Sequence, residues 1–370
     1  FSSYDDLMAV VGTTNPNNNS ITFGTPVVIK SGGTEGGYHA SCSIYDPNAQ
    51  RVVHIYSDLT NSKKGTAQVL QVDGNSVIFG PRVIFSESQT FYPAVAYDTD
   101  TNQVILHYFG DPSSSSYVGR RSRVTLGTVS GNNISFGSSS TIDPVDHSGN
   151  YALDLGIGYD PISQKVVAAW RYTDSSNNNY GTVAVGTVSG TDISFESGSG
   201  NEFLSTQARE NMWVYDSASQ KMVLVTHEDA SPQSVKARIA TISGNTITLS
   251  NPVEIEDRAT SWHGITYDES NQRVVFSYKL SSNDEGTSTV ISTTTSATQL
   301  TLTDTTVSKV SDGSLVGGTT IDQVLTVGET VRADTPISST FTASVFSTTL
   351  YNGAGTQDLN TGIDNTDKSL

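Results

Sequence analysis

One cysteine, few charges and no long apolar run mark this sequence, and each scarcity removes a class of protein. Cys42 is the only cysteine, so no intrachain disulfide forms and a tetrathiolate metal site is excluded. Within the apolar stretch from His39 to Tyr45 it reads as a buried structural thiol. No apolar run approaches the roughly 18 residues that a membrane-spanning helix needs, so no membrane insertion is expected. Charged residues make up 15% of the chain and apolar residues 35%. That apolar share is low for a helical or α/β protein but suits many short strands that bury one face each. What charge there is leans acidic, a formal net −17, which argues against nucleic acid and anionic membranes as partners. No glycine-rich phosphate loop precedes a helix, and no convincing helix is present, so no cofactor is expected. Phe1 opens the sequence without an initiator Met or a secretory signal, which reads as a processed chain or a piece of a longer one.

A repeat is there instead. An apolar strand ending in Tyr-Asp, a short turn and a second apolar strand return five times, at Tyr45-Asp46, Tyr97-Asp98, Tyr159-Asp160, Tyr215-Asp216 and Tyr267-Asp268. Successive Asp residues are 52, 62, 56 and 52 positions apart. Four of the turns close on Gln followed by a base: Gln50-Arg51, Gln164-Lys165, Gln220-Lys221 and Gln272-Arg273; the other has Asn102-Gln103. An Asp carboxylate accepts hydrogen bonds from backbone N–H groups two or three residues on, so the repeated Asp is a turn residue. A third strand and a second hairpin follow, signalled by Asp73-Gly74-Asn75, Gly131-Asn132, Gly190-Thr191 and Ser243-Gly244-Asn245. Four strands, a to d, in about 50 to 60 residues describe a propeller blade.

The expected fold is therefore all-β, a five-bladed β-propeller over 1–286. Residues 1–30 hold only c and d strands, and the last repeat has a clear a and b (262–267 and 273–279). Joining the two halves makes a shared fifth blade and closes the ring, hiding two sheet edges. The competing reading gives the last repeat its own c strand at 287–292. Beyond 286 the repeat stops. Residues 287–340 read as a β-rich stem or assembly segment, with alternation over 301–310 and two short strands around Gly328. Residues 341–370 read as the start of a further β domain or tail.

The repeat, with Gly186-Thr187-Val188-Ser189-Gly190 and Tyr159-Asp160-Pro161, resembles repeats in tail-fibre-like proteins of tailed phages, notably marine ones. Leu350-Tyr351-Asn352-Gly353-Ala354-Gly355 and Asn360-Thr361-Gly362-Ile363 are similar to the start of lectin-like domains that follow such repeats. The resemblance implies a virion appendage that contacts the host surface, other virion proteins as partners, and a homotrimer held through the C-terminal segment. It implies a virion-surface or extracellular location, and it supplies no catalytic residue.

Candidate ligand residues lie on or just before the innermost strands, whose starts form the face where propellers usually bind. They are Tyr38, His39, Tyr92, Tyr151, Trp213, Trp262 and His263. Aromatic faces with polar neighbours suit sugar rings, so a cell-surface glycan or protein receptor is the expected partner; filling of the space between blades is the competing reading. Glycoside hydrolysis needs two carboxylates, and the best pair is Asp154 and Glu210, each five residues before the repeated Tyr of its blade. Solvated channel carboxylates are the alternative reading for them. His39, His54, His107, His147, His227 and His263 show no local zinc spacing, and His54, His107 and His227 fall on b strands, which indicates packing. No metal site is expected. The reading is adhesion or assembly, with a secreted propeller hydrolase or a free-standing lectin as alternatives.

Overall fold

The computed structural model describes residues 6–292 apart from 19, 32–40, 111–120, 143–151, 175–177, 196–199 and 283–284, and beyond these only the backbones of short strands. The chain divides into two compact units, Phe1–Thr293 and Thr294–Leu370.

The first unit is a β-propeller. Blade 1 runs Ser41–Asp46 (a), Arg51–Asp58 (b), Lys64–Asp73 (c) and the first part of the long strand Ser76–Asp98 (d), whose second part is strand a of blade 2. Blade 2 continues with Gln103–Gly110, Arg121–Ser130 and Asn133–Phe136. Blade 3 is Ala152–Asp160, Lys165–Thr173, Asn179–Ser189 and Asp192–Phe195. Blade 4 is Ala208–Asp216, Lys221–Glu228, Ser234–Ser243 and Thr246–Leu249. Each is an antiparallel meander, so neighbouring strands in sequence are neighbours in the sheet.

The a–b turns form as the sequence predicts. Asp98 Oδ1 accepts from the amides of Asp100 and Thr101 at 2.9 and 3.0 Å, and Asp216 and Asp268 repeat the pattern. The residue before strand b closes each turn in the left-handed region: Gln50, Asn102, Gln164, Gln220 and Gln272 all have φ between 53° and 55°. Small polar loops therefore reset strand direction without a glycine there.

Apolar residues on the two faces of each blade pack against the next blade. Val53, Ile55 and Val69 of blade 1 meet Val104, Leu106 and Tyr108 of blade 2. Ile105 and Phe109 meet Ile157, Ala168 and Trp170. Val167 and Val185 meet Trp213 and Leu224, and Val223 and Val225 meet Val274 and Phe276. The core is thus a series of sandwiches rather than one mass, which fits the low apolar fraction. His54, His107 and His227 are buried in it, with His107 bonded through Nε2 to Ser122 Oγ at 2.5 Å and through Nδ1 to the Gly156 carbonyl at 3.1 Å.

Blades are also joined at the repeat itself. Tyr97 donates to Asp46 Oδ1 of the preceding blade at 2.8 Å, Tyr159 donates to Asp100, and Tyr267 accepts from the Ala218 amide at 3.1 Å. The repeated base reaches the other way. Arg51 Nε donates to Asn132 Oδ1 at 2.7 Å, and Lys165 Nζ to Asn245 Oδ1 at 3.0 Å, each on the c–d turn of the following blade.

At the ends, the structure departs from the shared-blade pairing. Blade 5 consists of Thr260–Asp268, Arg273–Leu280 and Gly286–Ile291, the last being its own c strand in register from Val274↔Ile291 to Lys279↔Gly286. Closing a short hairpin orders far less chain than bringing in a strand some 270 residues away, so the local partner takes that edge. Leu7–Ala9 pairs with Val27–Lys30, and Gly12–Asn15 with Ser20–Phe23, reproducing a c–d pair as expected. This pair abuts blade 1, with Lys30 Nζ 3.3 Å from Asp58 Oδ1 and Arg82 Nη2 donating to the Ile29 carbonyl at 3.0 Å.

In the second unit, Thr298–Leu302 pairs with Asp322–Leu325 and with Phe341–Ala343, while Thr330–Arg332 runs parallel to Thr349–Tyr351. The two short strands around Gly328 are where the sequence places them. The pairings cross residue 340, so segments 287–340 and 341–370 share sheets, and the first unit extends past 286 because of the extra c strand.

Candidate functional site

Every innermost strand described at its start carries the same irregularity. In blade 2, Phe91 pairs with Phe109 and Ala94 with His107, so two residues face one. The register shifts likewise at Leu153/Gly156, Arg209/Met212 and Ser261/Gly264. These are β-bulges, which bend a strand and re-aim a side chain. The first bulged residue is left-handed in each case: Tyr92 (φ 51°), Asp154 (54°), Glu210 (48°) and Trp262 (61°). Such a conformation disfavours any residue with a Cβ by about 1–2 kcal/mol. Four non-glycine residues held there, at the same place in four blades, are a built feature.

Tyr92, Asp154 and Glu210 line one cavity of about 50 Å³, together with Pro93, Leu155, Asn211 and Met212. The next blade's Trp262 adjoins them, because the amide of His263 donates to Glu210 Oε2 at 3.0 Å. Trp262 is 53% exposed, a large apolar surface left in water. Asp154 Oδ2 lies 2.9 Å from Arg171 Nε with both side chains mostly buried; the contact is ionic, without the alignment of a hydrogen bond. Burial pulls the Arg171 guanidinium below its ordinary range, while the Asp154 charge pulls the other way. Arg209 and Asp229 form a second pair at 2.7 Å. Asn211 Nδ2 donates to the Asp154 carbonyl at 2.8 Å and ties the two bulges together.

Of the residues singled out in the sequence, the structure gathers Tyr92, Asp154, Glu210 and Trp262. It places Trp213 elsewhere, 7% exposed in the packing between blades 3 and 4. His263 is also turned inward: its side chain is fully covered, edge-on to Phe276 and bonded through Nε2 to Thr260 Oγ1 at 2.8 Å. The bulge explains this, since one extra residue swaps the faces of the residues after it, sending Trp262 out and His263 in. Tyr38, His39 and Tyr151 lie outside the described residues. Sequence reasoning missed Arg171 and Arg209, which sit on b and a strands with no local motif. No group of three or more metal-ligating side chains occurs among the described residues.

Chemically, the mouth offers two fixed carboxylates, one half-buried phenol and one exposed indole. That set suits a ring with apolar faces and hydroxyl edges.

No protein-family model matches the sequence, and no curated protein matches it. Among solved structures, the Hadza microbial sialidase Hz136 aligns at TM-score 0.46 and 10% identity, over 73% of this chain and 63% of that one. A protein of unknown function from Dyadobacter fermentans aligns at 0.46 and 11%, over 69% and 83%. An endo-arabinase from Bacteroides thetaiotaomicron aligns at 0.43 and 10%, over 69% and 94%. The chain thus spans less than two thirds of the sialidase's length, and its likeness to all three is one of chain path.

Proposed function

We propose that this chain is the propeller portion of a virion appendage of the tail-fibre type, and that it attaches to host-surface glycan through the mouth formed by Tyr92, Asp154, Glu210 and Trp262. The observation that carries the binding reading is the convergence of these four side chains from the same bulge of four consecutive blades. A sugar would stack on Trp262 and Tyr92 and present its hydroxyls to the carboxylates. Both carboxylates already hold partners of the protein itself, Arg171 and the His263 amide. That arrangement favours rigid recognition over proton transfer, which needs a carboxyl aimed at a leaving group.

The binding test is a glycan array followed by calorimetry on Trp262→Gly and Tyr92→Gly, both of which suit a left-handed backbone. Loss of at least tenfold in affinity in a folded variant is expected; unchanged binding by both would sink the assignment. The hydrolase alternative shares the cavity, so the same glycans are incubated with wild type, Asp154→Asn and Glu210→Gln. Turnover by wild type that both variants abolish would replace adhesion with catalysis.

The appendage reading adds a homotrimer assembled through residues 294–370, other virion proteins at its ends, and a location on the virion surface. Its support is the tail-fibre-like repeat and a second unit of short strands of three to five residues, which bury little by themselves. Native mass of the full chain beside residues 1–293 tests it: a trimer that becomes a monomer supports the reading, and two monomers oppose it.

A further inference from the structure

The opposite end of the same channel has its own chemistry. Four innermost strands finish there around a cavity of about 260 Å³, walled by Tyr97, Tyr159, Trp213, Tyr215, Tyr267 and Met222 among its apolar residues, with no Lys, Arg or His in the lining. Three of the four phenols are fixed by the contacts between blades: Tyr97 and Tyr159 donate to Asp46 and Asp100, and Tyr267 accepts from the Ala218 amide. The ring positions are therefore set before anything binds. A phenol that donates to a carboxylate also carries more electron density on its ring face.

The surroundings are acidic. The five turn carboxylates Asp46, Asp98, Asp160, Asp216 and Asp268 recur at this end, one per blade. The Tyr215 hydroxyl is pushed up by burial and then by the charges of Asp160, Asp216 and Glu269. Two bases of the same turns lean outward, Arg51 to Asn132 and Lys165 to Thr187 and Asn245. Aromatic faces beneath a rim of negative charge attract cations, and most strongly those that shed water easily.

We infer that this aromatic cavity is a binding site for a small alkylated ammonium ion, a trimethylammonium head above all. Such a head is apolar on its surface and positive as a whole, so it needs no hydrogen-bond acceptors from the wall. A primary ammonium would need three, and Thr266 is the only lining hydroxyl besides the phenols. The site lies at the other end of the strands from the bulges, so it stands independently of the glycan reading.

The test titrates the full chain calorimetrically with choline and with 3,3-dimethylbutan-1-ol, its uncharged isostere, at low and high salt. Choline is expected to bind at least tenfold more tightly, with the preference shrinking as salt rises. Thr266→Trp fills the mouth from an exposed position and is expected to abolish choline binding without lowering the thermal midpoint. Tyr215→Leu removes one ring and is expected to weaken choline at least fivefold more than the isostere. Equal affinity for choline and the alcohol overturns the inference, as does no binding of choline by the folded protein. Choline binding that survives Thr266→Trp also overturns it, because the ion then sits elsewhere.

Discussion

The hydroxyl of Tyr97 rests 2.8 Å from Asp46 Oδ1, and the two residues, 51 positions apart, belong to different blades. Asp46 also accepts from the Ala49 amide at 2.9 Å, so one carboxylate closes a turn and holds the neighbouring blade. Tyr159 and Tyr267 likewise reach the a–b turn of the blade before, at Asp100 and the Ala218 amide, so the Tyr of one copy is held by the turn of the previous one.

Removing that hydroxyl isolates its contribution. Tyr97→Phe is expected to lower unfolding free energy by about 1.5–3 kcal/mol, the range for a hydrogen bond to a charged group. Asp46→Ala should lose more, since the turn loses its acceptor too. Urea denaturation of both variants checks this, and a Tyr97→Phe value indistinguishable from wild type counts against the clasp. Burial first, and then Asp46 and Asp100, push the Tyr97 and Tyr159 phenols above their ordinary 10.0. Their contribution is complete below that value and is lost as pH rises through the raised one.

Acid acts through other groups. Burial lowers His54 and His107 from 6.5 to about 4. Neither affects stability while pH stays above 6.5, where both states are neutral. Below it the unfolded chain takes up protons that the folded one refuses, so stability falls until pH reaches about 4. At pH 5 the expected loss is on the order of 2 kcal/mol per histidine. A stability profile flat between pH 7 and 5 would contradict it.

Glycines offer a packing test. A methyl group added at Gly80 would collide with the Asn132 carbonyl, and one at Gly137 with that of Thr191, each across a blade boundary. One added at Gly286 meets nothing within 4 Å. Gly80→Ala and Gly137→Ala should each lose about 1–3 kcal/mol or more, while Gly286→Ala stays near wild type. Thermal unfolding of the three decides it, and equal midpoints would refute the close approach.

At the bulges, backbone and side chain can be separated. Trp262→Gly is expected to be about 1 kcal/mol more stable than Trp262→Ala, since only glycine is at ease at φ 61°. Asp154→Asn should cost about 2–3 kcal/mol by leaving Arg171, 15% exposed, without its counter-ion. Chemical denaturation reads both, and Asp154→Asn at wild-type stability would mean that the ion pair is not structural.

Much of this was legible in the sequence. The Asp turns, the Gly-Asn hairpins and the five-fold Tyr-Asp spacing are local, and local chemistry repeats visibly. The hidden features are long-range or break a local rule. Nothing near Tyr97 announces that its hydroxyl seeks Asp46. Nothing in a Trp or Glu announces a left-handed backbone, and without the bulge the faces of Trp262 and His263 are assigned the wrong way round. The c strand of blade 5 was legible only as the competing reading, because Gly286–Ile291 has no aromatic and only Val290 and Ile291 as large apolar residues.

The four bulges hold a tyrosine, an aspartate, a glutamate and a tryptophan in nearly one backbone conformation. The backbone geometry there is set by the strand pairs on either side, so the position does not dictate its side chain. Each of these four strands accordingly offers a slot whose side chain differs while the path of the strand is kept. At this position the repeat keeps its backbone and lets the side chain vary.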